Sequence, residues 1–311
     1  GFDHTTQGSY AVAAGVAKAL GLNGEKTANA IRISGTAFNA LRVTRTGALS
    51  HWKGLAYPNT AFGCTHAAFL AMRGVTGPPE VFEGNKGFQD AIAGPFEIDW
   101  SRESLERVRK TILKKYNAEI HSQPAIEGVL DLQTKHGFAG RDVERIEIKI
   151  FDVAYHIIGG GVEGDKTVVE NKEQADHSLP YMVAVAVLDG EVTPEQYASE
   201  RILRGDVQSL LRRISVRPSE AYSQRFPAEM PCHLAVMLKD GRALVAEVQD
   251  YEGFHTRPMS WDTVRAKFDR LAGSYADAAL RSEIAEAVAT LEVIRVRDLM
   301  QLLARVRIPG M

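Results

Sequence analysis

The stretch 42–59, R-V-T-R-T-G-A-L-S-H-W-K-G-L-A-Y-P-N, is the part of the sequence around which the predicted fold is organised. It places Arg42, Arg45, His51 and Lys53 between two alanine-rich segments that carry few charges. Charged side chains are rarely buried without partners, so these cations either face solvent in a connecting loop or surround an anion. The two glycines of the stretch allow close backbone approach, and its aromatic residues are poor choices for a polar loop. The stretch therefore favours an anion-binding wall between packed helices.

The segments on either side of this stretch are predicted to be helices. Residues 9–20, 25–38 and 59–73 are rich in alanine and other small residues, and their apolar positions recur at helical spacing. A basic amphipathic helix is predicted after them, over residues 104–113. The first part of the chain is therefore expected to be helical and closely packed.

A different pattern begins near residue 113. A helix is predicted from Ser122 or Gln123 to Gly137, with a proline in its first turn, and a strand is predicted where apolar and charged residues alternate over 143–151. A buried helix follows and ends at Gly190. Two apolar runs separated by K-D-G-R then predict a hairpin.

The pattern becomes helical again from Ser260 onward. We therefore predict a mainly α fold, in which an all-helical domain is built from residues 1–112 and 257–311. A smaller α+β domain, residues 113–256, is inserted between those two pieces. The seam between the two domains is where a ligand cleft is expected.

Composition excludes several classes of protein. The 311 residues are 45% hydrophobic and 24% charged, with a formal net charge of −2, so there is no basic excess of the kind that nucleic-acid binders use. The two cysteines, Cys64 and Cys232, lie far apart, which gives neither a metal motif nor a disulfide framework. No apolar run is long enough to span a bilayer. We therefore expect a cytoplasmic protein with no nucleic-acid or membrane partner.

Three further groups carry candidate chemistry, and each has a structural alternative. His4 lies in F-D-H-T-T, where Asp3 or a threonine would serve as a helix cap. Lys114 and Lys115 lie at the domain junction, where two lysines would also suit the dipole of a helix end. Asp176-His177-Ser178 is the third group, in which the first or last residue would cap the next helix.

These groups share cations, imidazoles and hydroxyls, without the spacing of metal ligands. Removal of a proton next to a carboxylate develops further negative charge, so it requires a positioned base and fixed cations. The groups therefore suit a small polycarboxylate.

The same segments resemble the successive signature segments of the MmgE/PrpD family, whose members include 2-methylcitrate dehydratase, cis-aconitate decarboxylase and iminodisuccinate epimerase. They are G-F-D-H-T-T, L-R-V-T-R-T-G-A-L-S-H-W-K-G, K-K-Y-N-A-E-I-H-S-Q and A-D-H-S-L-P-Y. The resemblance implies a helical domain with an inserted α+β lid, and a lyase that needs neither metal nor cofactor. It also implies a homodimer that acts on a small tricarboxylate.

The resemblance implies catalytic roles for His4, Lys53, Lys114 and Tyr181, with Lys115 selected instead of Lys114 by a one-residue slip. Charge and location add three substrate-binding candidates: Arg45, His51 and His121. The chain begins Gly-Phe-Asp-His without Met, and the family has a further helical stretch with an Asp/Thr/His group before this point. We therefore expect Gly1 to be an interior position of a longer protein, whose N-terminal helices are missing here.

The expected reaction is the dehydration of 2-methylcitrate or a close analogue to the corresponding cis-aconitate. Decarboxylation or epimerisation of a related acid is the alternative within the same family. A catalytically silent binding or scaffold protein is the alternative from another class.

Overall fold

A computed structural model describes residues 1–47 and 49–308 of the chain. Its N-terminal part contains three α-helices, α1 (His4–Ala19), α2 (Gly24–Ala37) and α3 (Trp52–Met72). The helices pack against one another because small side chains let their backbones approach closely. The fully buried residues of this cluster are Ala13, Ala17, Ala30, Cys64 and Ala68.

Helix α3 begins seven residues earlier than the sequence predicts. The predicted start at residue 59 follows Pro58, yet the structure places this proline inside the helix. A proline inside a helix removes one hydrogen bond but does not prevent the turns before it from forming. The early start carries Lys53 into the first turn of α3, while Arg42–Arg45 forms a short 3-10 helix.

The prediction of an amphipathic helix over residues 104–113 is wrong. The structure has only short 3-10 turns here, Trp100–Arg102 and Arg107–Lys110, after a π-helical turn at Gln89–Ala93. Leu105 adopts a φ of 60°, which a right-handed helix does not allow, and its side chain is exposed. Without a surface to cover its apolar side chains, a segment of this length gains too little to form a helix.

The α+β part contains a four-stranded sheet in the order β2-β1-β3-β4. The strands are β1 (Val143–Ile150), β2 (Ile214–Pro218), β3 (Cys232–Leu238) and β4 (Ala243–Val248). Strand β1 pairs in parallel with β2 and antiparallel with β3, and β3 and β4 form the predicted hairpin. Strand β2 was not predicted, because five residues are too few to display a clear alternation.

Helices pack against this sheet and supply most of the core. The helices of the α+β part are α4 (Gln123–His136), α5 (Asp152–Ala154), α6 (Lys172–Ala175), α7 (Leu179–Asp189), α8 (Ser199–Ile202), α9 (Gly205–Leu211) and α10 (Glu220–Arg225). Helices α4 and α7 confirm the two helices predicted there, and α7 is buried from Leu179 to Val187. Helix α4 lies so close to the sheet that a Cβ atom at Gly128 would be 2.7 Å from Leu234 of β3.

The C-terminal part is helical, as predicted, with α11 (Trp261–Ala272), α12 (Ala278–Ala289) and α13 (Val296–Leu303). A small apolar cluster joins these helices through Leu280 and Ile284, against which Phe268 and Leu302 pack. Within the described ranges no helix has the length and apolar character to cross a membrane. The mainly α class is confirmed, whereas the division into a helical domain with an inserted lid stays a prediction.

Tyr181 shows how α7 is fixed to its surroundings. The side chain is fully buried, and its hydroxyl donates a hydrogen bond to the backbone carbonyl of Gln196. Tyr197 packs nearby, with the two ring centroids 6.1 Å apart. Its own buried hydroxyl has no hydrogen-bond partner among the described residues. The two neighbouring tyrosines are both buried, but among the described residues only the Tyr181 hydroxyl makes a hydrogen bond.

We predict that Tyr181→Phe will lower the free energy of unfolding by about 1–2 kcal/mol, because the buried carbonyl loses its donor. Tyr197→Phe is the matched control and should change it by less than about 0.5 kcal/mol, since no bond is lost. Denaturant titration followed by circular dichroism measures both changes. Equal losses in the two variants would contradict the assignment of the hydrogen bond to Tyr181.

Candidate active site

A cleft of about 680 Å³ lies where the N-terminal helices, the α+β part and α11 meet. The N-terminal part contributes His4, Arg45 and Lys53 to its walls. The α+β part contributes Lys114 and the segment around α6, and α11 contributes one lysine. Those further lining residues include Glu119, Lys172, Asp176, His177, Tyr197 and Lys267.

Asp3 organises the wall on the side of α1. Its side chain is fully buried, caps α1 by accepting a hydrogen bond from the amide of Thr5, and accepts another at 2.8 Å from Nε of Arg45. Burial alone would raise the pKa of Asp3, but the Thr5 amide and the Arg45 guanidinium hold it below its ordinary value. His4 begins α1 with a half-exposed side chain, 3.4 Å from Asp3. The capping role considered for Asp3 is therefore observed together with a position at the cleft for His4.

Lys53 connects the N-terminal wall to the α+β wall. Its Nζ lies 2.8 Å from Oδ1 of Asp176 and 2.8 Å from Nδ1 of His177. Lys172 donates to the other carboxylate oxygen of Asp176 at 2.9 Å. The Lys53 and Asp176 side chains are only 10% and 18% exposed, so this ion pair is largely shielded from water.

The ionisation of this pair is set by competing effects. Burial lowers the pKa of Lys53, and neighbouring Lys172 and Arg45 lower it further, whereas Asp176 opposes them. Burial alone would raise the pKa of Asp176, but His177, Lys53 and Lys172 hold it well below its ordinary value. The Lys53 ammonium and the Asp176 carboxylate therefore each stabilise the charged form of the other.

Lys114 lines the cleft and Lys115 does not. Nζ of Lys267 donates a hydrogen bond to the backbone carbonyl of Lys114, and burial together with the Lys114 charge lowers the pKa of Lys267. Lys115 instead pairs with Glu127 and Glu252, at 3.3 and 2.8 Å. Of the two lysines left open by the sequence, the structure brings Lys114 to the cleft.

The remaining predicted site residues do not line the cleft. Tyr181 faces the core, as described above, so its geometry favours a structural role. His121 has Nδ1 2.9 Å from Oε1 of Glu119, and its ring packs against Phe151. His51 is 89% exposed and lies 3.7 Å from Glu173. Their roles in binding or catalysis stay predictions.

Sequence reasoning did not select several of the residues that line the cleft. Lys172 and Lys267 lie in segments without a motif, and only the fold brings them near Lys53 and Lys114. Asp176 and His177 belong to a candidate group of the sequence, in which Asp176 or Ser178 would cap the next helix. Ser178 provides that cap, since its hydroxyl accepts a hydrogen bond from the amide of Tyr181. The side chains of Asp176 and His177 are not needed for this cap and are therefore available to the cleft.

The charges of the cleft favour an anion. Within the described part of the chain, its lining carries more basic than acidic side chains. The basic ones are Arg45, Lys53, Lys114, Lys172 and Lys267, and the acidic ones are Glu119 and Asp176. Among residues 1–47 and 49–308, no group of three or more His, Cys, Asp or Glu side chains is arranged to hold a metal ion. A ligand with several carboxylates matches this distribution of charge.

We predict that Asp176→Asn will destabilise the protein near neutral pH, and that the difference from wild type will shrink as the pH falls below about 4. A carboxylate whose folded pKa is depressed stabilises the protein above its unfolded pKa of about 4, and this contribution is lost as the pH falls toward the folded value. Denaturant unfolding between about pH 2 and 7 measures the difference. Exposed Glu200 supplies the control, Glu200→Gln, which should show no comparable trend. A difference independent of pH would contradict the prediction.

Comparison with known proteins confirms the predicted resemblance. The MmgE/PrpD N-terminal domain family matches residues 1–101, and the MmgE/PrpD C-terminal domain family matches residues 116–292. A 2-methylcitrate dehydratase of Cupriavidus necator is 28% identical over 272 residues, which are 83% of this chain and 54% of that protein. A cis-aconitate decarboxylase of Mus musculus is 25% identical over 276 residues, which are 84% of this chain and 53% of that protein.

A 2-methylcitrate dehydratase of Escherichia coli strain K12 is 26% identical over 271 residues, with 83% of this chain and 54% of that protein covered. The chain therefore spans about half the length of the curated relatives that it matches. Since the two family matches cover nearly all of its residues, the chain belongs to the MmgE/PrpD family.

Proposed function

We propose that the protein is a lyase that dehydrates 2-methylcitrate or a similar tricarboxylate to the cis-aconitate product by acid/base chemistry. The observation that carries this proposal is the cleft in which Arg45, Lys53 and Lys114 converge from different parts of the chain beside His4. Relatives named 2-methylcitrate dehydratase support the reaction.

The arrangement of cations fits the charge changes of such a reaction. Removal of a proton from a carbon next to a carboxylate spreads negative charge onto that carboxylate, so fixed cations lower the barrier. Arg45 is held in place by buried Asp3, whereas Lys114 has no carboxylate partner among the described residues. Arg45, Lys53 and Lys114 would bind the carboxylates, and His4 would donate a proton to the oxygen of the leaving hydroxyl.

The partial burial of Lys53 gives the proposed site a dependence on pH. An ammonium group binds a carboxylate only while it is protonated, and burial lowers the pKa of Lys53. Binding of the tricarboxylate should therefore weaken as the pH rises through this lowered pKa.

A decarboxylase is the second candidate, because the cis-aconitate decarboxylase relative is about as similar to the chain as the dehydratases are. Loss of carbon dioxide also leaves a carbanion that cations would stabilise and that must be protonated. The charge of the cleft does not distinguish the two reactions. The products do distinguish them.

The decisive experiment incubates the full-length protein with 2-methylcitrate and follows ultraviolet absorbance of the conjugated product. We expect absorbance to rise with time and no carbon dioxide to be released. Incubation with cis-aconitate and capture of carbon dioxide is the parallel assay. Carbon dioxide release without any dehydration of 2-methylcitrate would replace the first proposal by the second, and inactivity in both assays would reject both.

Replacement of Lys53 tests its place in the proposed site. We expect Lys53→Gln to lower kcat/KM by at least about 100-fold, because a cation that faces developing charge is removed. Exposed Lys110 lies outside the cleft and supplies the control, Lys110→Gln, which removes the same charge without this effect. Steady-state kinetics measures both variants, and circular dichroism checks that they fold. Activity retained by Lys53→Gln would remove Lys53 from the site.

A further inference from the structure

Three polar atoms form a triangle between the N-terminal wall and the α+β wall, and no single arrangement of protons satisfies all three of their close contacts. Oδ1 of Asp176 lies 2.7 Å from Nδ1 of His177 and 2.8 Å from Nζ of Lys53, and those two nitrogens are 2.8 Å apart. If Nδ1 carries the proton, it donates to Asp176 but faces the ammonium of Lys53. If Nδ1 carries no proton, it accepts from Lys53 but faces a carboxylate oxygen. Either arrangement leaves one unfavourable contact.

A bound carboxylate would remove this conflict. Lys53 lines the cleft and is the member of the triangle that an anion in the cleft attracts. When its ammonium turns to the ligand, Nδ1 of His177 is free to carry a proton and to donate a hydrogen bond to the Asp176 carboxylate. Lys172 continues to donate to the other oxygen of Asp176. The carboxylate is then positioned to orient the imidazole and to stabilise its protonated form.

His177 is well placed to use that orientation. Its backbone amide donates to the carbonyl of Gln174 at 3.2 Å, and the next residue, Ser178, caps α7, so the backbone is fixed on both sides. The side chain lines the cleft and is 17% exposed. Within the described residues, Nε2 of His177 makes no hydrogen bond, so it is available to a ligand.

The carboxylates of the cleft are less suitable as bases. Asp176 already accepts from lysines on both of its oxygens. Glu119 faces the His121 ring and also accepts a hydrogen bond from the His121 amide at 2.7 Å. Tyr197 is buried, which raises the pKa of its hydroxyl well above the ordinary value, so it would act only as a donor. The imidazole of His177, whose Nε2 makes no hydrogen bond among the described residues, is therefore the most suitable base on this wall.

We propose that His177, oriented by Asp176, is the base that removes the proton from the substrate, a role that rests on the proposed function. Nε2 takes the proton from the carbon next to a carboxylate, and the electron pair of that C–H bond forms the new double bond. The C–O bond to the neighbouring hydroxyl breaks, and the oxygen leaves as water after it takes a proton from His4 on the N-terminal wall. His177 then returns its proton to solvent and His4 regains one. Asp176 is a positioning residue, which acts through the imidazole.

The test uses His177→Gln and His177→Ala in the full-length protein, with 2-methylcitrate as the substrate. We expect His177→Gln to lower kcat by about 100-fold or more, the usual contribution of a general base, while KM and the calorimetric Kd stay within about threefold. Added imidazole should restore part of the activity of His177→Ala, since a free base would occupy the vacated space. Exposed His255 lies outside the cleft, and His255→Gln should behave as the wild type and show no response to imidazole.

Asp176→Asn separates positioning from proton transfer. This variant should lower kcat by about tenfold to 100-fold, and combined with His177→Ala it should add little further loss, because the two residues act as one unit. Dehydration by His177→Gln at the wild-type rate would overturn the role of His177 and leave the proposed function intact. Loss of activity that imidazole does not restore, together with weaker binding, would show a structural role and would also overturn the proposal. A wild-type protein that does not dehydrate 2-methylcitrate would reject the proposed function and this role with it.

Discussion

The ion pair between Lys53 and Asp176 is the interaction on which the cleft depends. It joins the first turn of α3 to the segment before α7, two elements that are 123 residues apart in the chain. Charges in such a shielded place are costly unless they are paired, and this pair is also bonded to His177 and Lys172. The excess of positive charge in the cleft is tolerable because Lys53 and Lys172 share the largely shielded carboxylate of Asp176. Asp3 has the same function for Arg45 on the side of α1.

The local sequence predicts a helix or strand correctly where its pattern of apolar residues matches the burial of that element in the fold. Strand β1 alternates because one of its faces is buried, and α7 reads as apolar because it is buried along nearly its whole length. The segment around Leu105 has an amphipathic pattern but no surface to pack against, so the predicted helix does not form. Helix α3 begins earlier than predicted, because it continues through Pro58 into the cationic stretch. In both cases tertiary packing, which a local pattern does not contain, decided the outcome.

The sequence predicts a site residue correctly where its motif fixes both the position of the residue and the direction of its side chain. His4, Arg45, Lys53 and Lys114 come from three separate segments and line one cleft. Tyr181 belongs to an equally distinctive segment, but it lies in the first turn of α7 and faces the core. His51 precedes Lys53 by two residues, which in a helix turns its side chain away from that of Lys53, and it is exposed to solvent. Lys172 and Lys267 carry no motif, and only the fold could identify them.

The shared carboxylate of Asp176 has a consequence for which ligands the cleft accepts. Since Asp176 already occupies Lys53 and Lys172, an incoming carboxylate competes with an anion that is tethered to the protein and always present. A monocarboxylate such as acetate offers one new contact in exchange for the one that it disrupts. The proposed tricarboxylate would also meet Arg45, Lys114 and Lys267, which line the same cleft, so its binding would not depend on that exchange alone. On the proposed function, the internal anion would thus disfavour acids that carry a single carboxylate.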